Sequence, residues 1–109
     1  MMQVRKMYGG TGDEQQAEAD VQALVESVKE AVVTKLVTSP QELRATHFKT
    51  QVVAGTNYFV RVHVGAGKHV HLRIYKHFSG TVSLHGVRHH EAGGVSEAEP
   101  LDYFEQNVN

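Results

Sequence analysis

The chain has 109 residues, with 11 lysines and arginines, 12 aspartates and glutamates, and no cysteine. This length suits one domain with a single hydrophobic core, and the nearly balanced charge disfavours nucleic acid and anionic membranes as partners. The absence of cysteine excludes disulfide bonds, a thiolate nucleophile and cysteine-ligated zinc or iron–sulfur clusters. Because no apolar run approaches the ~18 residues of a membrane span and the opening residues 1–8 hold no signal sequence, we expect a cytoplasmic location.

The N-terminal residues 1–12 show no side-chain periodicity and end in Gly9-Gly10-Thr11-Gly12, so we expect a flexible segment. Thr11 and Asp13 each stand three positions before a glutamate or glutamine, a pattern typical of a helix start. From about Glu14 to Thr34, apolar residues recur every three or four positions, at Ala17, Val21, Leu24, Val25, Val28, Ala31 and Val32. This spacing predicts one amphipathic helix.

From Leu43 onward the apolar period changes to two, which predicts four antiparallel strands. The first two strands flank a tip at residues 53–55, the third follows a turn at 65–67, and the fourth follows a turn at 78–80 and ends before Gly86. One face of this sheet is apolar and would pack against the helix. The other face is predicted to be solvated and carries His47, Lys49, Arg61, His63, His69, His71, Arg73, Tyr75 and His77.

These elements predict an α+β fold, with one long helix on one antiparallel sheet. Residues 89–100 are predicted to form a polar loop, after which Leu101, Tyr103 and Phe104 return to the body of the domain. Val53 and Ala54 are unusual at a hairpin tip. Exposed apolar residues there favour contact with a partner, but a tight turn built from residues that tolerate it explains the pattern equally well.

Residues 50–65, with the sequence TQVVAGTNYFVRVHVG, resemble the Gln-x-Val-x-Gly hairpin and following strand of the stefins. Stefins are the type 1, disulfide-free cystatins that inhibit papain-like cysteine proteases. The resemblance continues over HLRIY at 71–75 and LDYF at 101–104, and Gly9-Gly10 lies at the family's usual distance before the helix. It covers most of the chain and implies that residues 1–109 form a single cystatin domain, in which an antiparallel sheet wraps around one long helix.

In stefins, an N-terminal trunk and two hairpin loops form a wedge that enters the protease cleft. The resemblance assigns the protease-binding residues as follows: the trunk is Met7, Tyr8, Gly9 and Gly10; the first loop is Gln51, Val52, Val53, Ala54 and Gly55; the second loop is His77, Phe78, Ser79 and Gly80. Stefins usually carry Leu-Pro before the glycine of the second loop. Here Phe78 would supply the apolar contact, and the absence of proline removes a fixed φ.

The implied function is tight, reversible, competitive inhibition of papain-like cysteine proteases of the cathepsin type, with no catalytic residue, metal or cofactor. We expect a monomer without nucleic acid or membrane partners. The β-branched residues at the first tip could act as a hinge, which would give an inactive domain-swapped dimer. The alternative function is a histidine-rich metal- or pH-responsive binding module, because histidines two positions apart on a strand can bind a metal or titrate together.

Overall fold

A computed structural model describes residues 11–36, 39–89, 95 and 99–108, and within them a five-stranded antiparallel sheet packs against two helices. In chain order the elements are β1 (Gln15–Gln16), α1 (Ala19–Ser27), α2 (Lys29–Leu36), β2 (Arg44–Val53), β3 (Gly55–Gly65), β4 (Lys68–Lys76) and β5 (Val82–Arg88). The strands lie in the sheet in the same order. The predicted α+β fold is confirmed. In the described ranges, no helix is long and apolar enough to cross a membrane.

The helical region begins later than its sequence pattern predicts. Gln15 and Gln16 pair with β2 as the short strand β1, and the backbone N–H of Ala17 donates to the carbonyl of Thr46 at 2.9 Å. The edge of β2 offers a row of unpaired backbone groups. Pairing with them holds Gln15 and Gln16 as a strand despite the local helix-start pattern. The predicted starts at Thr11 and Asp13 are therefore wrong, and the helix begins at Ala19 without a side-chain cap from Glu18.

The predicted single helix is also interrupted, at Val28. The Ser27 hydroxyl donates to the carbonyl of Leu24 at 2.7 Å, and the N–H of Val28 donates to the carbonyl of Val25 at 3.2 Å. Bonds to the third preceding residue tighten the turn and end α1. The buried stripe nonetheless continues across the break, over Val21, Leu24, Val25, Val28 and Val32.

The main core lies between this helical stripe and one face of the sheet. The sheet contributes alternating apolar side chains, which are Val60, Val62, Val70, Leu72, Ile74, Leu84 and Val87. Each such side chain, fully buried, stabilises the fold by about 1.5–3 kcal/mol relative to exposure. The predicted orientation of the third strand, with its apolar residues toward the helix, is confirmed.

The C-terminal segment, 99–108, covers part of the opposite face of the sheet. Phe59 is fully buried there, with its ring centroid 5.6 Å from that of Tyr103 and 5.8 Å from that of Phe104. The Arg73 guanidinium lies over the Tyr103 ring and donates to the carbonyl of Phe104 at 2.9 Å. Leu101 is fully buried as well, so the predicted return of this segment to the body is confirmed.

The prediction that this face is solvated is wrong for its central residues. Arg61, His69 and His71 are buried. Arg61 pairs with Glu14 at 3.1 Å and donates to the carbonyl of Glu99 at 2.9 Å. Burial, reinforced by the charge of Arg61, lowers the pKa of His71 to about 4. Segment 99–108 places aromatic rings and an acidic side chain on this face of the sheet. The alternating pattern of the strands does not indicate that these groups lie there.

Within the predicted loop 89–100, residues 90–94 and 96–98 lie outside the described residues. Val95 is buried, and its N–H donates to the carbonyl of His69 at 2.7 Å. Farther on, the side-chain amide of Asn107 accepts from the N–H of Val87 and donates to its carbonyl, both at 2.9 Å. The outer edge of β5 is therefore covered by a side chain, as the edge of β2 is covered by β1.

Candidate functional site

Exposed apolar side chains concentrate at one end of the sheet. Among the described residues, the large hydrophobic side chains that are exposed are Val52 (84 %), Val53 (44 %) and Phe78 (81 %). Val52 and Val53 end β2, and Phe78 follows β4. Because consecutive antiparallel strands alternate in direction, the β2–β3 and β4–β5 loops lie at the same end, and the β3–β4 turn lies at the other. A group of exposed apolar side chains at one end of a sheet is typical of a protein-binding surface.

The first hairpin is a tight turn whose geometry requires glycine. Val53 pairs directly with Gly55, so that Ala54 alone forms the tip. Gly55 has φ +115°, in the region that side chains rarely adopt. A Cβ built there would lie 2.7 Å from both the carbonyl oxygen of Lys76 and the hydroxyl of Tyr75. The tip therefore packs directly against the end of β4.

Hydrogen bonds brace the same hairpin from within. Gln51 is only 4 % exposed, and its side-chain oxygen accepts from the amide of Asn57 at 3.0 Å. The Tyr75 hydroxyl donates to the carbonyl of Ala54. Of the five first-loop residues named from the sequence, Gln51 is thus buried inside the hairpin, while Val52, Val53 and Ala54 are exposed.

The second hairpin closes without the proline that stefins carry. The carbonyl of His77 accepts from the N–H of Gly80 at 2.8 Å, and the imidazole Nδ1 of His77 accepts from the N–H of Ser79 at 3.1 Å. The His77 and Phe78 rings lie 4.0 Å apart between centroids. Gly80 has φ +103°, with open space around the position of a Cβ. An imidazole nitrogen thus supplies the restraint at this turn, and Phe78 projects from it.

Two residues that the sequence analysis did not assign to the site connect its elements. Tyr75 contacts the first hairpin through its hydroxyl, and its ring stacks on that of His85 at 5.1 Å with a 17° interplanar angle. Asn57 pairs with Gln51 across the first two long strands. Burial and the charge of Arg73 lower the pKa of His85. No sequence signal identifies Tyr75 and Asn57 as site residues, because their contacts depend on strand register.

The described chain begins beside the first hairpin. The N–H of Gly12 donates to the carbonyl of Thr50 at 2.7 Å, one residue before the first predicted loop. The trunk residues Met7, Tyr8, Gly9 and Gly10 lie outside the described residues. The segment that leads to the trunk therefore lies next to β2, near the strand end that carries Val52 and Val53.

The metal-binding alternative gains no support from the geometry. Across ranges 11–36, 39–89 and 99–108, no group of three histidines, cysteines or acidic residues is arranged to hold a metal ion. His69 and His71 lie on the sheet face opposite the helices as predicted, but both are buried. The arrangement at the hairpin end instead provides apolar contact surface and a fixed backbone shape.

Comparison with known proteins identifies relatives over most of the chain. The model of the cystatin domain family matches residues 9–85. The chain is 42 % identical over 96 residues to Cystatin-A2 of Dictyostelium discoideum, covering 88 % of this chain and 96 % of that protein. It is 36 % identical over 101 residues to Cystatin-B of Oplegnathus fasciatus, covering 90 % and 97 %. It is 38 % identical over 72 residues to Cystatin-A of Homo sapiens, covering 66 % and 74 %.

Proposed function

The chain belongs to the cystatin family, which confirms the resemblance drawn from its sequence, and from this premise we propose that it inhibits papain-like cysteine proteases of the cathepsin type. The inhibition is tight, reversible and competitive. The trunk and both hairpins enter the active-site cleft together, and residues 1–109 act as a single cystatin domain without a cofactor or metal.

One observation carries this proposal: the exposed Val52, Val53 and Phe78 lie on two hairpins at the same end of the sheet. A protease cleft is a groove lined with apolar and polar groups, and projecting hairpins with apolar tips can enter such a groove. Burying each large side chain contributes about 1.5–3 kcal/mol before ordering costs. Internal bonds at both hairpins lower those ordering costs, because the loops are held in shape before binding.

The proposed contact is non-covalent, and the chain takes no catalytic part in it. The tip of the first hairpin turns back at Gly55, and the carbonyl of Ala54 is engaged by the Tyr75 hydroxyl. A peptide bond held in this tight turn does not present an extended backbone to the protease thiol, so its cleavage is slow. The inhibitor therefore blocks access to the thiol and is released intact.

The trunk is the third part of the proposed wedge. Gly12 is bonded to Thr50 beside the first hairpin, which supports a trunk directed toward the same end of the sheet. Gly9 would allow close approach to the cleft wall, and Met7 or Tyr8 would fill an apolar subsite. Removing residues 1–10 tests this role: a large loss of affinity for papain assigns binding energy to the trunk, and an unchanged affinity removes the trunk from the wedge.

Titration of active-site-titrated papain with the purified chain tests the proposed function. We expect activity to fall linearly to zero near one equivalent, and to return when the complex is diluted with excess substrate. Val53→Asp places a charge on the first tip and should weaken inhibition at least ~10-fold. Ala66→Asp, in the exposed turn at the opposite end of the sheet, is the matched control and should inhibit normally. Full protease activity at large molar excess of the unaltered chain would end the proposal.

We also propose that the active form is a cytoplasmic monomer. Exchange of the helices and β2 between two chains would require the first hairpin to straighten, and Gly55 would then leave its turn conformation. The swapped dimer should not inhibit, because the first tip no longer exists in it. A dimer isolated by size exclusion that inhibits as well as the monomer contradicts this account, and cell fractionation checks the location.

A further inference from the structure

Tyr75 lies between the two hairpins and contacts both of them. Its hydroxyl donates to the carbonyl of Ala54, at the tip of the first hairpin. Its ring stands edge-on to the ring of His77, with centroids 6.3 Å apart, where the second hairpin begins. The His77 ring in turn packs against that of Phe78. One aromatic side chain near the end of β4 therefore links the two apolar tips.

We propose that Tyr75 is a positioning residue, which holds the first hairpin against the end of β4 and so sets the spacing between the two tips. The inference rests on the proposed inhibitory function, because this spacing matters only when both tips enter one cleft. Tyr75 acts through the carbonyl of Ala54 rather than by contact with the protease.

The packing around Gly55 shows why a hydroxyl at this point is effective. The position of a Gly55 Cβ would lie 2.7 Å from the Tyr75 hydroxyl, so the missing side chain is what lets the tip approach it. The stacking of Tyr75 on His85 holds the ring in place from the β5 side. A phenylalanine at this position would keep the stacking and lose only the bond to Ala54.

Losing this bond removes one of the restraints that hold the tip against β4. The cost of ordering it again is then part of the binding free energy, which weakens binding without removing any contact with the protease. One hydrogen bond of ordinary strength corresponds to about a 3- to 10-fold change in affinity. We expect Tyr75→Phe to weaken inhibition of papain by this factor, while Tyr103→Phe, a matched loss of a hydroxyl that bonds Glu105 on the covered face, leaves it unchanged.

Double-mutant cycles separate positioning from direct contact. If Tyr75 sets the spacing between the two tips, its effect should shrink both in a Val53→Ala background and in a Phe78→Ala background, because each of these variants weakens one of the two tips. Equal inhibition constants for the unaltered chain and Tyr75→Phe overturn the proposal. So does a Tyr75→Phe effect that simply adds to that of Val53→Ala.

Nuclear magnetic resonance of the free chain tests the hydrogen bond between Tyr75 and Ala54 without any protease. The N–H of Gly55 belongs to the same peptide group as the Ala54 carbonyl, so its chemical shift and hydrogen-exchange rate report the bond. We expect both to change in Tyr75→Phe and to stay constant in Tyr103→Phe. Failure of the unaltered chain to inhibit papain would overturn the proposed function. An unchanged Gly55 resonance in Tyr75→Phe would separately overturn the positioning role of Tyr75.

Discussion

The two hairpins that carry the exposed apolar residues differ in how tightly they are packed. The first is fixed by close packing as well as by hydrogen bonds, with Gly55 against β4, Gln51 buried beneath the tip and the Ala54 carbonyl bonded to the Tyr75 hydroxyl. The second is fixed by polar bonds to His77, and the space around Gly80 is open. The first loop should therefore tolerate almost no added volume at its turn, whereas the second should tolerate volume and fail when its hydrogen bonds are removed.

The largest expected effect follows from adding one methyl group to the first hairpin. Gly55→Ala combines a positive φ with two contacts of 2.7 Å, one of them to backbone, so the tip must move. We expect affinity for papain to fall about 100-fold, from roughly 3 kcal/mol of strain and displacement. Gly67→Ala is the control, since it has φ +72° but open space at the opposite end of the sheet. Equal losses of affinity in Gly55→Ala and Gly67→Ala would contradict the claim that crowding at the first hairpin causes the loss.

Truncating the side chain that projects from the second hairpin should have the next largest effect. Phe78→Ala removes an exposed ring that the proposed complex buries, and we expect about a 10- to 30-fold loss of affinity. Phe78→Leu keeps an apolar side chain and should recover most of the binding. The measurement is the inhibition constant for papain, and full activity of Phe78→Ala would exclude the second hairpin from the contact.

Restoring the proline found in stefins should weaken this second hairpin. Ser79→Pro removes the N–H that donates to Nδ1 of His77 and also the hydroxyl that lies 2.7 Å from the same nitrogen. We expect about a 5-fold loss of affinity, because both contacts of this residue with the imidazole are lost together. The penalty should disappear in a His77→Ala background, where no imidazole is present to accept the bond. Tighter binding by Ser79→Pro alone would show that the imidazole is not the restraint.

Acidification should weaken the sheet that carries the two hairpins. Folded His71 binds its proton only near pH 4, whereas in the unfolded chain it does so near 6.5, so stability falls as the pH drops through that window. Between pH 7 and pH 5 the free energy of unfolding should fall by about 2 kcal/mol. Arg61, Arg88, His69 and Glu99 surround this imidazole, and His71→Leu should remove most of the pH dependence. Denaturant unfolding at the two pH values measures it, and an unchanged slope in His71→Leu would point to another group.

The same contrast explains how much the sequence could predict. Apolar periodicity predicted the strands, the turns at 65–67 and 78–80, and the face of the sheet that meets the helix, because these depend on near neighbours in the chain. The resemblance to stefins supplied the two loops. The start of the helix was predicted wrongly, because the free edge of β2 recruits Gln15 and Gln16, and that competition involves residues more than thirty positions apart.

The burial of the outer face of the sheet could not be predicted from the sequence for the same reason, because it depends on residues that are distant in the chain. His71 and Arg61 have the pattern of solvated strand residues, yet both are buried, and the partners of Arg61 are Glu14 and Glu99, which are distant from it in the chain. The roles of Tyr75 and Asn57 depend on register between strands, which alternation alone does not specify. Local sequence patterns thus predicted the secondary-structure elements. The contacts that hold the two hairpins in shape could be identified only from the assembled sheet.

The amide of Asn107 has a consequence for the lifetime of the protein in a proteolytic environment. Its two bonds to Val87 imitate those of an additional strand and close the outer border of β5. Loss of the segment that carries Asn107 would uncover these backbone groups and offer them to another molecule. The shortened chain would keep both tips yet become prone to self-association, so loss of a few terminal residues would lower the soluble concentration before it affected binding.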